Sequence, residues 1–309
     1  MVNVISVSRR TDIPAFYSDW FVKRLKESFV YVQHPFSRKW DKVSLLTNDV
    51  VAIALWSKNF APLLTKLEEI EKVTKNLFFN FTITSNRELE LNVPDSSDAT
   101  KDFIYIAKRY SPAQLIWRYD PICITDKLPF EFYLENFKEC IEQLKGHVKM
   151  CYVSFTTPYK KVILNLQKYK KHALLEISKE DKKQYALQLA AIAERHGIQL
   201  YACCSDYLLS EKIKKGSCIN GSYLSRIFNT PINSQKSPTR KECACTKSID
   251  IGAYNTCPHG CLYCYANADK TEATTAYENY NPEWNSLCIN VNEDAIKKDE
   301  QPALFIGLK

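Results

Sequence analysis

Before residue 205 the chain carries six short runs dominated by apolar and β-branched residues: VNVISVS (2–8), VVAIALW (50–56), LFFNFTIT (77–84), QLIWRYD (114–120), HVKMCYVSF (147–155) and IQLYACC (198–204). Each reads as a buried strand. Helical patterns lie between most of them, carried by Phe16, Trp20, Phe21 and Leu25, by Leu63, Leu64, Leu67 and Ile70, by Leu134, Phe137, Ile141 and Leu144, and by Tyr185, Leu189, Ile192 and Ala193. Spacings of three and four residues place each set on one helix face. Strands alternating with such helices build βαβ units and a parallel sheet, so the chain is expected to be α/β. Six or more units in series imply a full or partial (β/α) barrel, with an open doubly wound sheet as the alternative.

Polar residues follow the strands. Arg9, Arg10 and Asp12 come after the first, Lys58 and Asn59 after the second, Thr82 and Thr84 end the third, and Arg118 and Asp120 lie in the fourth. In α/β barrels substrate chemistry occurs at the carboxyl ends of the strands, so the set is expected to line a catalytic site. The guanidinium groups and the lysine suit an anionic substrate, because arginine grips carboxylate or phosphate bidentately. Structural ion pairing of Arg10 with Asp12, or of Arg118 with Asp120, is the competing reading for any single residue.

The composition is globular, 45% apolar and 25% charged, so disorder is not the expectation. Seven glycines form no phosphate-binding loop of either common pattern, which disfavours P-loop and Rossmann nucleotide chemistry. The amino-terminal apolar run is too short for a signal sequence and no stretch approaches a membrane span, so a cytoplasmic protein without membrane contact is expected. A formal charge of +7 gathers in 159–172, 210–216 and 234–242, runs that usually form solvated faces and leave nucleic-acid binding open.

Twelve cysteines in a reducing compartment point to metal or redox chemistry rather than to disulfides. They crowd beyond residue 204, dividing the chain into a barrel body (1–204) and a cysteine-rich metal-binding segment (205–309). In YNTCPHGCLYCYAN (254–267), Cys257, Cys261 and Cys264 are spaced C-x3-C-x2-C. Zinc sites use two ligand pairs, and bacterial ferredoxins use C-x2-C-x2-C with a fourth cysteine elsewhere. Three thiolates on a tight loop can instead ligate three irons of a cubane cluster and leave the fourth open. Upstream, Cys218, Cys243 and Cys245 with one of Cys203 and Cys204 supply four further ligands, enough for a second 4Fe-4S cluster or a structural zinc. Cys123, Cys140, Cys151 and Cys288 read as buried hydrophobes. His34, before Pro35, reads as a turn residue.

C-x3-C-x-aromatic-C is the signature of radical S-adenosylmethionine enzymes, and CPHGCLYCYA resembles the version in their spore photoproduct lyase-like branch. The resemblance implies a 4Fe-4S cluster on Cys257, Cys261 and Cys264, with S-adenosylmethionine chelated at the open iron and cleaved to a 5'-deoxyadenosyl radical. It also implies Tyr263 beside the adenine, His259 in a loop-shaping role, and an electron donor such as flavodoxin or ferredoxin. The branch points to nucleic-acid modification or repair. SRRTDIPAFY (8–17), WSKN (56–59), WRYDP (117–121) and SIDIGAYNTCPHGCLYCYAN (248–267) are further similar to an uncharacterised bacterial family catalogued as a domain of unknown function, whose pattern favours Cys203 over Cys204. Radical S-adenosylmethionine enzymes place the cysteine loop after their first strand, whereas here it follows nearly all of them. A circular permutation reconciles the two, with SIDIGAY (248–254) as the first strand in space. The glycine-glycine-glutamate stretch that commonly holds the methionine amine is not found in the chain. Two other readings compete: a non-catalytic iron-sulfur or zinc protein that binds nucleic acid, and a zinc hydrolase, which five histidines without a paired motif disfavour.

Overall fold

A computed structural model describes residues 2–287 and 289–292 of the chain. Its strands are β1 (Asn3–Val7), β2 (Phe29–Gln33), β3 (Trp40–Ser44), β4 (Val50–Ser57), β5 (Leu77–Thr82), β6 (Leu115–Ile122), β7 (Met150–Phe155), β8 (Gln199–Ala202), β9 (Ile213–Lys215) and β10 (Ile249–Asp250). The helices are α1 (Ile13–Phe16), α2 (Ser18–Glu27), α3 (Ala61–Leu64), α4 (Leu67–Glu71), α5 (Ser96–Arg109), α6 (Phe130–Leu144), α7 (Lys160–Lys170), α8 (Lys179–Arg195), α9 (Gly221–Phe228) and α10 (Lys270–Glu278). The six expected strands all form. Leu63 to Ile70 split into two short helices, α3 and α4, rather than one.

Eight strands make a single parallel sheet in the order β10-β1-β4-β5-β6-β7-β8-β9, while β2 and β3 form a separate antiparallel pair. The sheet is open: β9 and β10 occupy opposite edges, and among the described residues they are not paired. The full barrel is therefore not formed. Both edge strands come from beyond residue 204, so the carboxy-terminal segment is woven into the sheet at each end.

Side chains alternate between the two faces of a strand, and here both faces are covered. Ile53 and Leu55 of β4, Phe79 and Phe81 of β5 and Trp117 of β6 share a core with the helices, Trp117 stacking on Phe137 of α6 at 4.9 Å between ring centroids. Ala52, Ala54, Phe78, Ile116 and Tyr152 form a second core with Leu224 of α9 and with Cys203, Cys218 and Cys245. A strand buried on both sides reads as a continuous apolar run, as VVAIALW does. The face that a closed barrel would fill with its own side chains is filled instead by α9 and the cysteine-bearing loops. Each fully buried large side chain contributes about 1.5–3 kcal/mol.

Close approach at the β1/β10 edge depends on Gly252, where an added Cβ would lie 2.0 Å from Ser8 Oγ. Asp250 secures the same edge: its carboxylate accepts from Ser6 Oγ and Ser8 Oγ at 2.6 Å each and from the Arg9 N–H at 2.8 Å. No helix among the described residues is long and apolar enough to cross a membrane. Cys288 lies outside the described residues.

Candidate functional site

The carboxyl ends of the parallel strands open into one cavity of about 780 Å³. Arg9, Arg10, Asp12, Lys58, Arg118 and Asp120 line it, together with Cys257, Cys261, Tyr263 and Cys264 and with Cys203, Cys218, Cys243 and Cys245. Asn59 does not line it. Its Oδ1 accepts the Ala61 N–H at 3.1 Å, which makes it a turn residue ahead of α3.

Asp12 is fully engaged by protein. Its carboxylate caps α1 through the Ala15 N–H at 3.0 Å, accepts from Ser57 Oγ at 2.7 Å and from the Lys58 N–H at 2.8 Å, and lies 2.8 Å from His259 Nε2. One carboxylate thus ties the ends of β1 and β4 to the cysteine loop. His259 Nδ1 lies 3.2 Å from the Asn92 carbonyl oxygen, and Asn92 Nδ2 donates to the Pro258 carbonyl at 2.8 Å, so the loop is held from a second side. The loop turns at Gly260, whose φ of +69° belongs to the left-handed region that glycine enters without strain. Asn267 Nδ2 donates to the Cys257 carbonyl at 2.6 Å and Lys270 Nζ to the Cys261 carbonyl at 2.8 Å, closing the far end.

Glu90 forms the floor beneath this loop. It is 4% exposed and accepts from Lys58 Nζ at 2.9 Å, from Thr84 Oγ1 and from Tyr263 Oη. Burial alone would lower the Lys58 pKa, but the Glu90 carboxylate and the nearby Cys261 sulfur outweigh it and hold the ammonium above its ordinary value. Burial pushes the Cys257 thiol well above the usual thiol range, with Asp12, Cys264 and Cys261 acting in the same direction. Burial raises Cys261 as well, against the pull of Lys58. Ligation by a cation reverses this balance, because it removes the cost of placing negative charge on buried sulfur.

In the same cavity, Cys203 Sγ lies 3.6 Å from Cys218 Sγ. Arg118 bridges this group to Asp120, with Nη1 at 2.9 Å from Cys218 Sγ and Nη2 at 2.6 Å from Asp120 Oδ2. Arg118 and Asp120 are therefore an ion pair, and the pair is engaged with sulfur. Arg10 pairs with Asp250 rather than Asp12, its Nε 3.9 Å from Asp250 Oδ1, while its Nη1 donates to the Gly252 carbonyl at 3.3 Å and its guanidinium sits 5.6 Å from the Tyr254 ring centroid.

No three His, Cys, Asp or Glu side chains among the described residues converge on one point as the ligands of a single metal ion do. A zinc ion draws each sulfur to about 2.3 Å from one centre, whereas a cubane takes each thiolate on a different iron and spreads them. Cys257, Cys261 and Cys264 supply three thiols of one loop to one cavity, a donor type that iron-sulfur clusters use. Sequence reasoning missed Glu90, Asp250 and the Asp12–His259 contact. Glu90 lies in the loop between β5 and α5 with no motif around it; SIDIGAY was read as a strand, but its acid as nothing more.

The family model described as a domain of unknown function (DUF1848) matches residues 4–266. The chain belongs to the DUF1848 family. That match takes in the sheet from β1 to β10, both cysteine groups and the loop through Ala266, so the DUF1848 unit contains the whole cavity described above. No curated protein matches the chain. Among solved structures, a match is the crystal structure of the Clostridial cellulose synthase subunit Z (CcsZ) from Clostridioides difficile, at 9% identity over 69% of this chain and 83% of that one. Its TM-score of 0.27 gives the likeness no weight for fold or function.

Proposed function

We propose that this DUF1848 protein is an iron-sulfur enzyme of the radical S-adenosylmethionine type, with Cys257, Cys261 and Cys264 as the protein ligands of a 4Fe-4S cluster. The observation that carries the reading is the supply of ligands: three thiols of one loop line the cavity, while both ring nitrogens of the loop's histidine face Asp12 and Asn92 instead. Three protein ligands leave one iron open. When bound, such a cluster supplies the electron that cleaves the sulfonium of S-adenosylmethionine.

The chain's own residues would orient and shield that chemistry. Asp12 and His259 fix the loop to the strand ends, and Lys58 offsets negative charge near Cys261. Tyr263, which donates to Glu90, is held with its ring against the cavity, where an adenine could lie on it. Arg10 keeps a guanidinium at the mouth for an anionic substrate. The reading includes the architecture, a partial and circularly permuted (β/α) barrel. It is supported by the sheet order, in which β10 stands first in space beside β1 and the cysteine loop follows it. A small electron-donor protein and a reducing, cytoplasmic setting belong to the same proposal, and the eleven described cysteines are free.

The test is anaerobic reconstitution with iron and sulfide, then electron paramagnetic resonance of the reduced protein with and without S-adenosylmethionine, with release of 5'-deoxyadenosine followed in parallel. A signal that changes with the cofactor in the wild type and loses that response in Cys261→Ala is the expected result. A cluster signal indifferent to the cofactor, with no 5'-deoxyadenosine, would leave a non-catalytic iron-sulfur protein and sink the radical reading.

A further inference from the structure

Loops following β8 and β9 and the connection between α9 and β10 meet at the cavity that the Cys257 loop also lines, and each brings cysteines. Cys203 and Cys204 follow β8, Cys218 follows β9, and Cys243 and Cys245 precede β10. The Cys203 and Cys218 sulfurs lie 3.6 Å apart, and electrostatic coupling runs on from Cys218 through Cys245 and Cys243 to Cys204 and back to Cys203, so the five thiols form one ring of neighbours. Cys203 and Cys204 lie just beyond the end of β8, and Cys204 has φ +51°, a left-handed conformation that is costly for a residue with a side chain.

The frame behind the sulfurs is built for close approach. Ser217 Oγ donates to the Ile219 carbonyl at 2.9 Å and lies 3.0 Å from the Ala244 carbonyl oxygen, and the Thr246 N–H donates to the Ile219 carbonyl at 2.9 Å, so the Cys218 and Cys245 loops are laced together. At Gly216 an added Cβ would lie 2.8 Å from the Ala202 carbonyl oxygen. Only glycine lets β9 bring Cys218 this near to Cys203.

Cations surround the ring. Arg118 contacts Cys218 directly, Arg240 is coupled to Cys204, and Arg9, ion-paired with Asp250 at 3.5 Å, also lies in the field of Cys245 and Cys218. Arg9 also has a buried Nη1 with no hydrogen-bond partner in the protein. An orphaned guanidinium nitrogen beside a group of thiols is what an anionic centre with accepting sulfurs would satisfy. Neutral thiols need no such counter-charge. A metal-thiolate centre does, since each ligating thiol gives up its proton.

We propose that Cys203, Cys218, Cys243 and Cys245 ligate a second iron-sulfur cluster, charge-balanced by Arg9, Arg118 and Arg240, in the cavity that the Cys257 loop also lines. The 3.6 Å between Cys203 Sγ and Cys218 Sγ is also the spacing of two thiolates on one zinc, so the zinc arm of the test decides the metal. Cys204 supports the turn and is not a ligand. Arg9 and Arg118, placed by the sequence among substrate-gripping residues, are on this reading positioning residues for the centre. The inference stands apart from the radical reading, because the two use different cysteines.

The test is iron, zinc and acid-labile sulfide analysis with Mössbauer spectroscopy after anaerobic reconstitution, zinc being offered alongside iron. The wild type should hold roughly eight irons and Cys243→Ser roughly four, as two clusters and one require. Cys257→Ala/Cys261→Ala/Cys264→Ala should also retain roughly four, and Cys204→Ala roughly eight. Cys243 is only partly buried, so its replacement spares the core, and circular dichroism checks that each variant is folded. Equal iron in folded wild type and Cys243→Ser overturns the second centre. One zinc per chain lost with Cys243, without sulfide, overturns the iron-sulfur assignment. Failure of the cofactor response in the wild type, with the iron counts as expected, would remove the radical reading and leave this one standing.

Discussion

Around Cys257, Cys261 and Cys264 acids and bases are mixed: Asp12 faces His259, Glu90 pairs with Lys58, and Lys270 donates to the Cys261 carbonyl. Around Cys203, Cys218, Cys243 and Cys245 they are guanidinium groups, two of them ion-paired, Arg118 with Asp120 and Arg9 with Asp250. Thiols of one kind thus meet mixed charge in one group and mostly guanidinium groups in the other.

The largest effect expected from breaking this contrast is at Arg118. Arg118→Ala leaves Asp120 buried without its partner and should cost about 3–5 kcal/mol of stability, measured by denaturant unfolding of the metal-free chain; Arg118→Lys should recover part of it. A loss no larger than that of a surface arginine would show that this group does not depend on its cations. In the Cys257 group, Asp12→Asn removes an acceptor shared by Ser57, Lys58 and His259 and should cost about 1–3 kcal/mol. The same unfolding measurement reads it, and proteolysis within 254–267 should become faster.

A further effect, read only at alkaline pH, concerns cysteines outside both groups. Burial pushes Cys123 and Cys140 up to about 11, from an ordinary thiol value of about 8.5. The native state keeps these protons where the unfolded chain has lost them. Their contribution to stability is therefore complete below about pH 8.5 and is lost as pH rises toward about 11, at a slope on the order of 1 kcal/mol per pH unit for each thiol. Urea midpoints taken across that window should fall with pH in wild type, and less steeply in Cys123→Ala.

The strands were legible because burial on two faces writes itself into composition, as in the runs that became β4 and β7. The β2–β3 pair was not: WDKVS has one exposed face and too few apolar residues to stand out. α5 escaped because Phe103, Ile106 and Ala107 are a sparse stripe among polar neighbours, and β9 and β10 are three and two residues long. At the site, spacing marked the cysteine loop because its ligands are near neighbours in sequence. Glu90 and Asp250 were invisible for the opposite reason, since each acts through residues far away in the chain.

Asp250 meets Ser6 across 244 positions of sequence, and this separation sets an order of assembly. A chain emerging from the ribosome with β1, β4 and β5 complete still has Ser6, Ser8 and the Arg9 amide without their acceptor. Contacts of such span form late, since the long loop must close before they reward it. The strand that supplies the acceptor is also the one that leads into Cys257, Cys261 and Cys264. Synthesis, closure of the sheet edge and presentation of the three thiols thus occur in that sequence.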